Sequence, residues 1–256
     1  MSESATLETL KPRKRRGGFK RSKRRGGKTV VYVGMDLSTT TDMTAYVLAA
    51  PEYSDDGSIE EISIFPRFFL PGSNIVRLER DARVPYRAWA EQGYLTLTEG
   101  DVVDYQYVRL ALHRDADAVH IHKAGIDPYN ASQFTTELMA DGFHVEHVRQ
   151  GALTMGPFTK ETERLILEGR LRHPNNPILN WHISNCTLRR DVNDNYWPMK
   201  TDGGVGQKAG SGRRRFKVDG AIAMIMSVGL AVTDEDKPRG RRRTRGEKAT
   251  VDNEGD

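Results

Sequence analysis

The sequence is poor in cysteine and has no long apolar run. Cys186 is the single cysteine, so no disulfide can form within the chain, which is typical of proteins from a reducing compartment. The longest uncharged run, residues 220–232, is too short to cross a bilayer as a helix. Residues 1–28 also lack the apolar segment that a signal peptide needs. We therefore expect a cytoplasmic protein that has no contact with a membrane.

Apolar residues are scarce in the chain as a whole, and its two ends account for this. Hydrophobic residues make up only 37% of the sequence. Residues 1–28 carry eleven Lys and Arg and a net charge of +9, whereas residues 234–256 carry seven charges of each sign. We predict a disordered basic tail over 1–28, one folded domain over 29–233 and a disordered charged tail over 234–256. The basic tail is expected to attract nucleic acid, the alternative being a solubilising leader.

The order of the apolar segments predicts an α/β fold. Strands are predicted in succession over residues 30–34, 43–50 and 59–70, joined by turns that favour antiparallel pairing. Strands over 118–126 and 143–148 enclose a helix, which predicts parallel pairing through a right-handed crossover. Helices are predicted over residues 74–92, 104–114, 131–141, 158–168, 178–190 and 220–232. The expected domain is a mixed β-sheet with helices on both faces.

Three aspartates stand at the ends of predicted buried elements. Asp36 closes the first strand, Asp127 closes the fourth and Asp219 precedes the uncharged helix. Mg²⁺ and Mn²⁺ prefer oxygen ligands, and two such ions can activate water and stabilise the leaving oxygen of a phosphodiester. We therefore predict that these carboxylates bind two Mg²⁺ or Mn²⁺ ions and cleave phosphodiester bonds. Each aspartate also has an ordinary explanation: a turn residue, an Asx turn before Pro128, and a helix N-cap, respectively.

Further candidates lie in a basic segment and on a predicted strand. Residues 201–212 are rich in glycine and lead into Arg213, Arg214 and Arg215, which we expect to guide DNA toward an otherwise acidic domain. His120 and His122 share one face of the predicted fourth strand and could bind a metal ion. A packing or surface role is the favoured interpretation for both histidines.

Several short motifs resemble, in order, the nuclease domain of phage terminase large subunits. The first is Val-Gly-Met-Asp-Leu-Ser at residues 33–38, the second Gly-Ile-Asp-Pro-Tyr-Asn-Ala at 125–131, and the last Lys-Val-Asp-Gly-Ala-Ile-Ala at 217–223. Further matching motifs lie between them, among them Val-Pro-Tyr at 84–86 and Asn-Pro-Ile-Leu-Asn-Trp at 176–181. The match extends over about residues 30–232, which makes it more specific than any one motif.

This resemblance implies an RNase H-like fold and a metal-dependent endonuclease that cuts concatemeric viral DNA during genome packaging. It assigns metal binding to Asp36, Asp127 and Asp219, with Asp42 as a weaker fourth candidate. Lys200 and Lys217 match positions of the family that could contact DNA phosphate, although a solvated surface lysine is the more ordinary interpretation. The implied partners are double-stranded DNA, a small terminase subunit and a portal, in the cytoplasm of a bacterial host.

The chain departs from a full terminase large subunit because no ATPase domain precedes the nuclease motifs. Residues 22–29 resemble the end of a phosphate-binding P-loop, but Ser22 replaces its first glycine and a strand is expected to follow where a P-loop has a helix. We therefore expect no ATPase activity in this chain, and either a separate ATPase subunit or a fragment with an alternative start. The alternatives are a stand-alone RNase H-like or Holliday-junction-resolvase-type nuclease, and a non-catalytic DNA-packaging scaffold.

Overall fold

The structure, a computed structural model, contains one large mixed sheet and one two-stranded sheet. It describes residues 24–25, 27–38, 43–73, 75–128, 132–192, 194–199 and 217–235. The helices among these residues include none that is long and apolar enough to cross a membrane.

The large sheet has its strands in the order β5-β4-β3-β2-β6-β7, with the short β1 and β8 paired to β2 and β4. Strands β2, β3 and β4 are antiparallel neighbours, whereas β6 pairs with β2 and β7 pairs with β6 in parallel. The strands are β1 (Arg24–Arg25), β2 (Lys28–Asp36), β3 (Thr44–Tyr53), β4 (Ile59–Pro71), β5 (Thr96–Thr98), β6 (Val119–Ile126), β7 (Val145–His147) and β8 (Leu171–Arg172). The second sheet is a hairpin of β9 (Thr187–Arg190) and β10 (Tyr196–Met199).

Helices cover both faces of the large sheet. The helices are α1 (Ile75–Ala82), α2 (Tyr86–Glu91), α3 (Tyr105–Ala118), α4 (Ser132–Ala140), α5 (Ala152–Leu167), α6 (Pro177–Ser184) and α7 (Asp219–Thr233). One apolar core contains buried residues of α5, α6 and α7, and the other contains buried residues of α3 and α4. The predicted fold class, a mixed sheet with helices on both faces, is confirmed.

Strand β2 shows why the sheet is buried on both sides. Val30 and Tyr32 belong to the core that contains α7, whereas Val31, Val33 and Met35 belong to the core that contains α3. This alternation follows from the two-residue period of a strand. A central strand with both faces covered is expected to be apolar, as β2 is from Val30 to Met35.

Three predicted helices differ from the structure. The helix predicted over 158–168 begins earlier, at Ala152. The helix predicted over 74–92 is divided into α1 and α2, because Arg83 adopts a φ of 58° and Pro85 disfavours helical backbone at the residue before it. The helix predicted over 178–190 is wrong beyond Ser184. Its last part forms β9, since pairing with β10 provides hydrogen-bond partners that a local pattern does not reveal.

The predicted tails lie mostly outside the described residues. At the amino end, β1 pairs with the start of β2, with Arg25 in register with Lys28. At the carboxyl end, Asp234 follows α7 and is buried. The disorder of the remaining residues of 1–28 and 234–256 stays a prediction.

Candidate active site

Asp36 and Asp127 lie at the same edge of the sheet. Asp36 is the last residue of β2, and Asp127 directly follows β6. The two strands are parallel, and Met35 pairs with Ile126. The next residue on each strand is therefore an aspartate, and neighbouring parallel strands lie about 5 Å apart. The backbone thus brings these two acids, 91 positions apart in sequence, next to each other.

Both acids extend toward the face that α7 covers. A Cβ atom added at Gly34 would lie 2.2 Å from the Ala223 carbonyl oxygen, and one added at Gly125 would lie 2.7 Å from Leu230 Cδ1. Gly34 and Gly125 therefore face α7. Side chains two residues further along a strand point to the same face, which is the position of Asp36 and Asp127.

Helix α7 brings the third acid to this edge. Asp219 is its first residue, and the next residue, Gly220, packs against the ring of Phe68. Phe68 pairs with Ala45, which in turn pairs with Asp36, so the three residues form one row across the sheet. Val218, not Asp219, occupies the N-cap position. The N-cap alternative for Asp219 therefore does not describe its place in the structure.

The side chain of His182 anchors the beginning of α7. Its Nδ1 atom accepts a hydrogen bond of 2.8 Å from the backbone N–H of Gly220. His182 is fully buried, and its ring stands edge-on to that of Phe68. The position of Asp219 is thus fixed by α6 as well as by the sheet.

Asp36 is buried and has a defined orientation. Gln150 Nε2 donates a hydrogen bond of 3.1 Å to Asp36 Oδ1. Tyr105 lies nearby, with its hydroxyl donating to the Ser38 carbonyl oxygen at 2.8 Å. Burial, followed by the negative charge of Asp36, raises the pKa of Tyr105 above its ordinary value. The phenol therefore stays neutral beside the carboxylate.

Asp219 is also buried, and its charge acts on two neighbours. Burial and the charge of Asp219 raise the pKa of Tyr86. Burial lowers the pKa of Lys217, and Asp219 opposes this change without cancelling it. Lys217 is half-buried, and its carbonyl oxygen accepts a hydrogen bond from Asn185 Nδ2. Lys217 is therefore close to Asp219, and its surroundings differ from those of a freely solvated surface lysine.

The other predicted site residues are placed as follows. Asp42, Lys200, Arg213, Arg214 and Arg215 lie outside the described residues. Within the part of the chain that is described, no three His, Cys, Asp or Glu side chains are arranged to hold a metal ion as they stand. The roles of Asp36, Asp127 and Asp219 in metal binding therefore stay predictions.

The sequence pattern did not identify Gln150, Tyr105 or His182 as parts of this region. Gln150 carries a weak signal, since it is a polar residue shortly after β7. Tyr105 and His182 carry none, because their contacts join residues 67 and 38 positions apart. Only the folded chain shows what they touch.

Comparison with known proteins identifies the family of the chain. Residues 23–235 match the family described as "Terminase large subunit, endonuclease domain". The chain is 31% identical over 202 residues to the terminase large subunit of Enterobacteria phage HK97, covering 78% of this chain and 37% of that protein. It is 30% identical over 186 residues to protein YmfN of Escherichia coli strain K12, covering 70% of this chain and 38% of that protein.

The fold is similar to a solved terminase as well. The crystal structure of the HK97 bacteriophage large terminase superimposes with a TM-score of 0.67 at 28% identity, covering 82% of this chain and 41% of that one. The chain thus spans about two fifths of the length of its curated relatives. The RNase H-like fold and the resemblance found in the sequence are confirmed. Because the family match covers most of its residues, the chain belongs to the terminase large subunit endonuclease domain family.

Proposed function

We propose that this chain is a metal-dependent endonuclease that cleaves concatemeric double-stranded viral DNA during genome packaging. One observation carries the proposal. Asp36 ends β2, Asp127 follows the adjacent parallel strand β6, and both positions face the helix that begins with Asp219. In a chain of this family, such an arrangement supports phosphodiester hydrolysis more directly than any other chemistry.

Asp36, Asp127 and Asp219 offer only oxygen donors, which suits Mg²⁺ or Mn²⁺. When bound, two such ions would supply an activated water molecule and stabilise the leaving oxygen. The chain's own contribution is to hold the carboxylates. The hydrogen bond from Gln150 orients Asp36, and the bond from Gly220 to His182 fixes the helix start beside Asp219.

Contact with DNA is proposed for Lys217 and for basic residues that precede it in the sequence. Lys217 lies two residues before Asp219 and within its electrostatic reach. Lys200, Arg213, Arg214 and Arg215 precede it in a basic, glycine-rich segment and are proposed to contact phosphate. Positive charge is needed here because residues 29–233 carry a net charge of −5.

We do not propose ATP hydrolysis for this chain. Lys28 and Thr29, which would end a P-loop, belong to strand β2, whereas a P-loop requires a helix there to bind phosphate. A separate ATPase subunit, a small terminase subunit and a portal are the proposed partners, and the host cytoplasm is the proposed site of action.

The decisive experiment measures cleavage of supercoiled plasmid in Mn²⁺ by the Asp127→Asn variant. Loss of one metal ligand should reduce cleavage by more than about a hundredfold, since even outer-shell partners of metal ligands contribute 10–100-fold. Asp117→Asn is the matched control, because Asp117 is exposed at the end of α3, away from the carboxylate edge. Equal cleavage by the two variants would refute the assignment of Asp127.

The two alternatives predict different results in the same assay. A resolvase-type nuclease should prefer a four-way junction over plain duplex, whereas a packaging nuclease should cut plain duplex. A non-catalytic scaffold should cut neither substrate. Calorimetric titration of a scaffold with Mn²⁺ should show either no binding or binding that the Asp127→Asn variant retains.

A further inference from the structure

Strand β6 contains a bulge that decides which face its last residues occupy. Val31 pairs with Ile121, but the next residue, Tyr32, pairs with Lys123, so His122 is an extra residue in β6. Ile121 and Ala124 consequently belong to the same core although they are three positions apart. A regular strand would place residues three apart on opposite faces.

The bulge has a direct consequence for Asp127. Beyond it, Gly125 pairs with Gly34 and both face α7, so Asp127 follows on the same face as Asp36. Without the bulge, continued pairing from Ile121 would shift β6 by one residue. Such a shift moves every later side chain to the other face. Asp127 would then point away from Asp36 and from α7.

A buried carboxylate contacts all three residues of the bulge. Asp234, the C-cap residue of α7, has no exposed side-chain surface. Its Oδ2 accepts a hydrogen bond of 2.6 Å from the Tyr32 hydroxyl and lies 3.0 Å from His122 Nε2. Its Oδ1 lies 2.8 Å from Lys123 Nζ. Tyr32 is the residue opposite the bulge, and His122 and Lys123 are the two residues that form it.

Lys123 is the residue that distinguishes the two registers. In the bulged register it faces α7 and reaches both Asp234 and Glu146, the latter at 2.9 Å. In the shifted register its ammonium group would enter the apolar core beneath α3, beside Val33, and would leave both carboxylates behind. Burying an unpaired charge is strongly unfavourable, so the contact with Asp234 favours the register that carries Asp127 to the site.

We propose that Asp234 is a positioning residue, which holds the β6 bulge at His122 and thereby keeps Asp127 beside Asp36. The functional meaning of this proposal rests on the proposed nuclease site, but the register itself does not. Helix α7 would then act at both of its ends, with Asp219 at its start and Asp234 at its end.

The test measures the register directly, by forming a disulfide between positions 36 and 127. Asp36→Cys and Asp127→Cys are combined with Cys186→Ala in the full chain, so that no other thiol is present. Neighbouring parallel positions about 5 Å apart fall within the Cα separation that a disulfide allows. We expect rapid cross-linking in this background and several-fold slower cross-linking once Asp234→Asn is added.

Asp115→Asn is the matched control. Asp115 also accepts from a tyrosine hydroxyl, that of Tyr46 at 2.8 Å, and pairs with a cation, Arg67 at 2.7 Å, but it lies on the other face and contacts no bulge residue. The Asp115→Asn change should leave the cross-linking rate between positions 36 and 127 unchanged, even if it lowers the stability of the protein. Equal cross-linking rates in the Asp234→Asn and Asp115→Asn variants would overturn the proposal.

A deletion provides a rescue that a merely structural role would not produce. Deleting His122 removes the extra residue of β6. Lys123 then pairs with Tyr32 without a bulge, and Asp127 comes opposite Asp36. Cross-linking in Asp234→Asn should therefore recover when His122 is deleted. If the variant with both changes folds but its cross-linking rate does not recover, the result counts against the proposal. If that variant does not fold, the comparison of Asp234→Asn with Asp115→Asn decides.

The consequence for metal binding is measured separately in the chain with its aspartates intact. Asp234→Asn should weaken Mn²⁺ binding by about tenfold or more, since displacing the ligand Asp127 should cost at least as much as a change in a ligand's outer-shell partner, and Asp115→Asn should not. If the unaltered chain binds no Mn²⁺ while the cross-link still depends on Asp234, the proposed function fails and the positioning role stands.

Discussion

At the scale of single residues, the site depends on how closely α7 approaches β2. At Gly34 the helix backbone occupies the space that any side chain would need, with the Ala223 carbonyl oxygen and the Ser227 nitrogen within 2.6 Å of a built Cβ. Both obstacles are backbone atoms, so they cannot rotate away. The absence of a side chain at Gly34 is therefore a condition for seating Asp219 near Asp36.

Gly34→Ala should consequently reduce the free energy of unfolding by at least about 2 kcal/mol, because overpacking against backbone forces a shift of the helix. Gly156→Ala is the control, since Gly156 is a buried glycine within α5 whose built Cβ would meet nothing closer than 3.8 Å. That change should be neutral or should stabilise the helix by up to about 1 kcal/mol. Guanidinium unfolding of both variants measures the difference, and equal stabilities would contradict the close-packing argument.

At the scale of elements, α7 connects the candidate active site with the interior of the sheet. It is buried on all sides, from Asp219 to Ala231, which is expected of a central helix but leaves its first N–H groups without water. His182 of α6 accepts the N–H of Gly220 and so satisfies one of them. The beginning of α7 is thus a point where helix packing and site geometry depend on each other.

His182→Leu should destabilise the protein by about 1–3 kcal/mol, because it removes the acceptor of a buried N–H group. It should also weaken Mn²⁺ binding, since Asp219 is adjacent to the freed amide. His182→Asn keeps a side-chain acceptor near the same place and should retain more of both properties. Chemical unfolding measures the stability and calorimetry measures the Mn²⁺ affinity. If the leucine variant is as stable as the asparagine variant and binds Mn²⁺ as tightly, this hydrogen bond is dispensable.

At the scale of the whole molecule, opposite charges are separated along the chain. Residues 29–233 have a net charge of −5, whereas residues 1–28 have a net charge of +9. An acidic domain repels a polyanion, so DNA affinity at low salt should depend on the basic segments outside it. This separation makes the amino-terminal segment the strongest candidate for sequence-independent attraction.

Removal of residues 1–22, which ends before β1, should therefore lower DNA affinity and flatten its dependence on salt. These residues include seven Lys and Arg, and the slope falls by about 0.9 for each phosphate that is no longer neutralised. Fluorescence anisotropy with a short duplex over a range of salt concentrations measures the slope. Cleavage at saturating DNA is the internal control and should be unaffected. An unchanged slope would show that this segment does not bind DNA.

Much of the fold could be predicted because the relevant information is local. The apolar strands before Asp36 and Asp127, the uncharged helix after Asp219 and the antiparallel start of the sheet were all visible as patterns of a few residues. The helix expected over 178–190 was partly wrong because β9 depends on a partner strand. A pattern of hydrophobicity cannot show a partner that lies further along the chain.

The sequence by itself determined the types and order of most elements, and it placed three acids at the ends of some of them. Only the tertiary structure decided that Asp36 and Asp127 share a face, because that depends on the bulge at His122. The bulge is contacted by Asp234, whose bond to Tyr32 joins residues 202 positions apart. Periodicity is a property of neighbouring residues, whereas strand register is set by contacts between distant ones, and the geometry of this site depends on register.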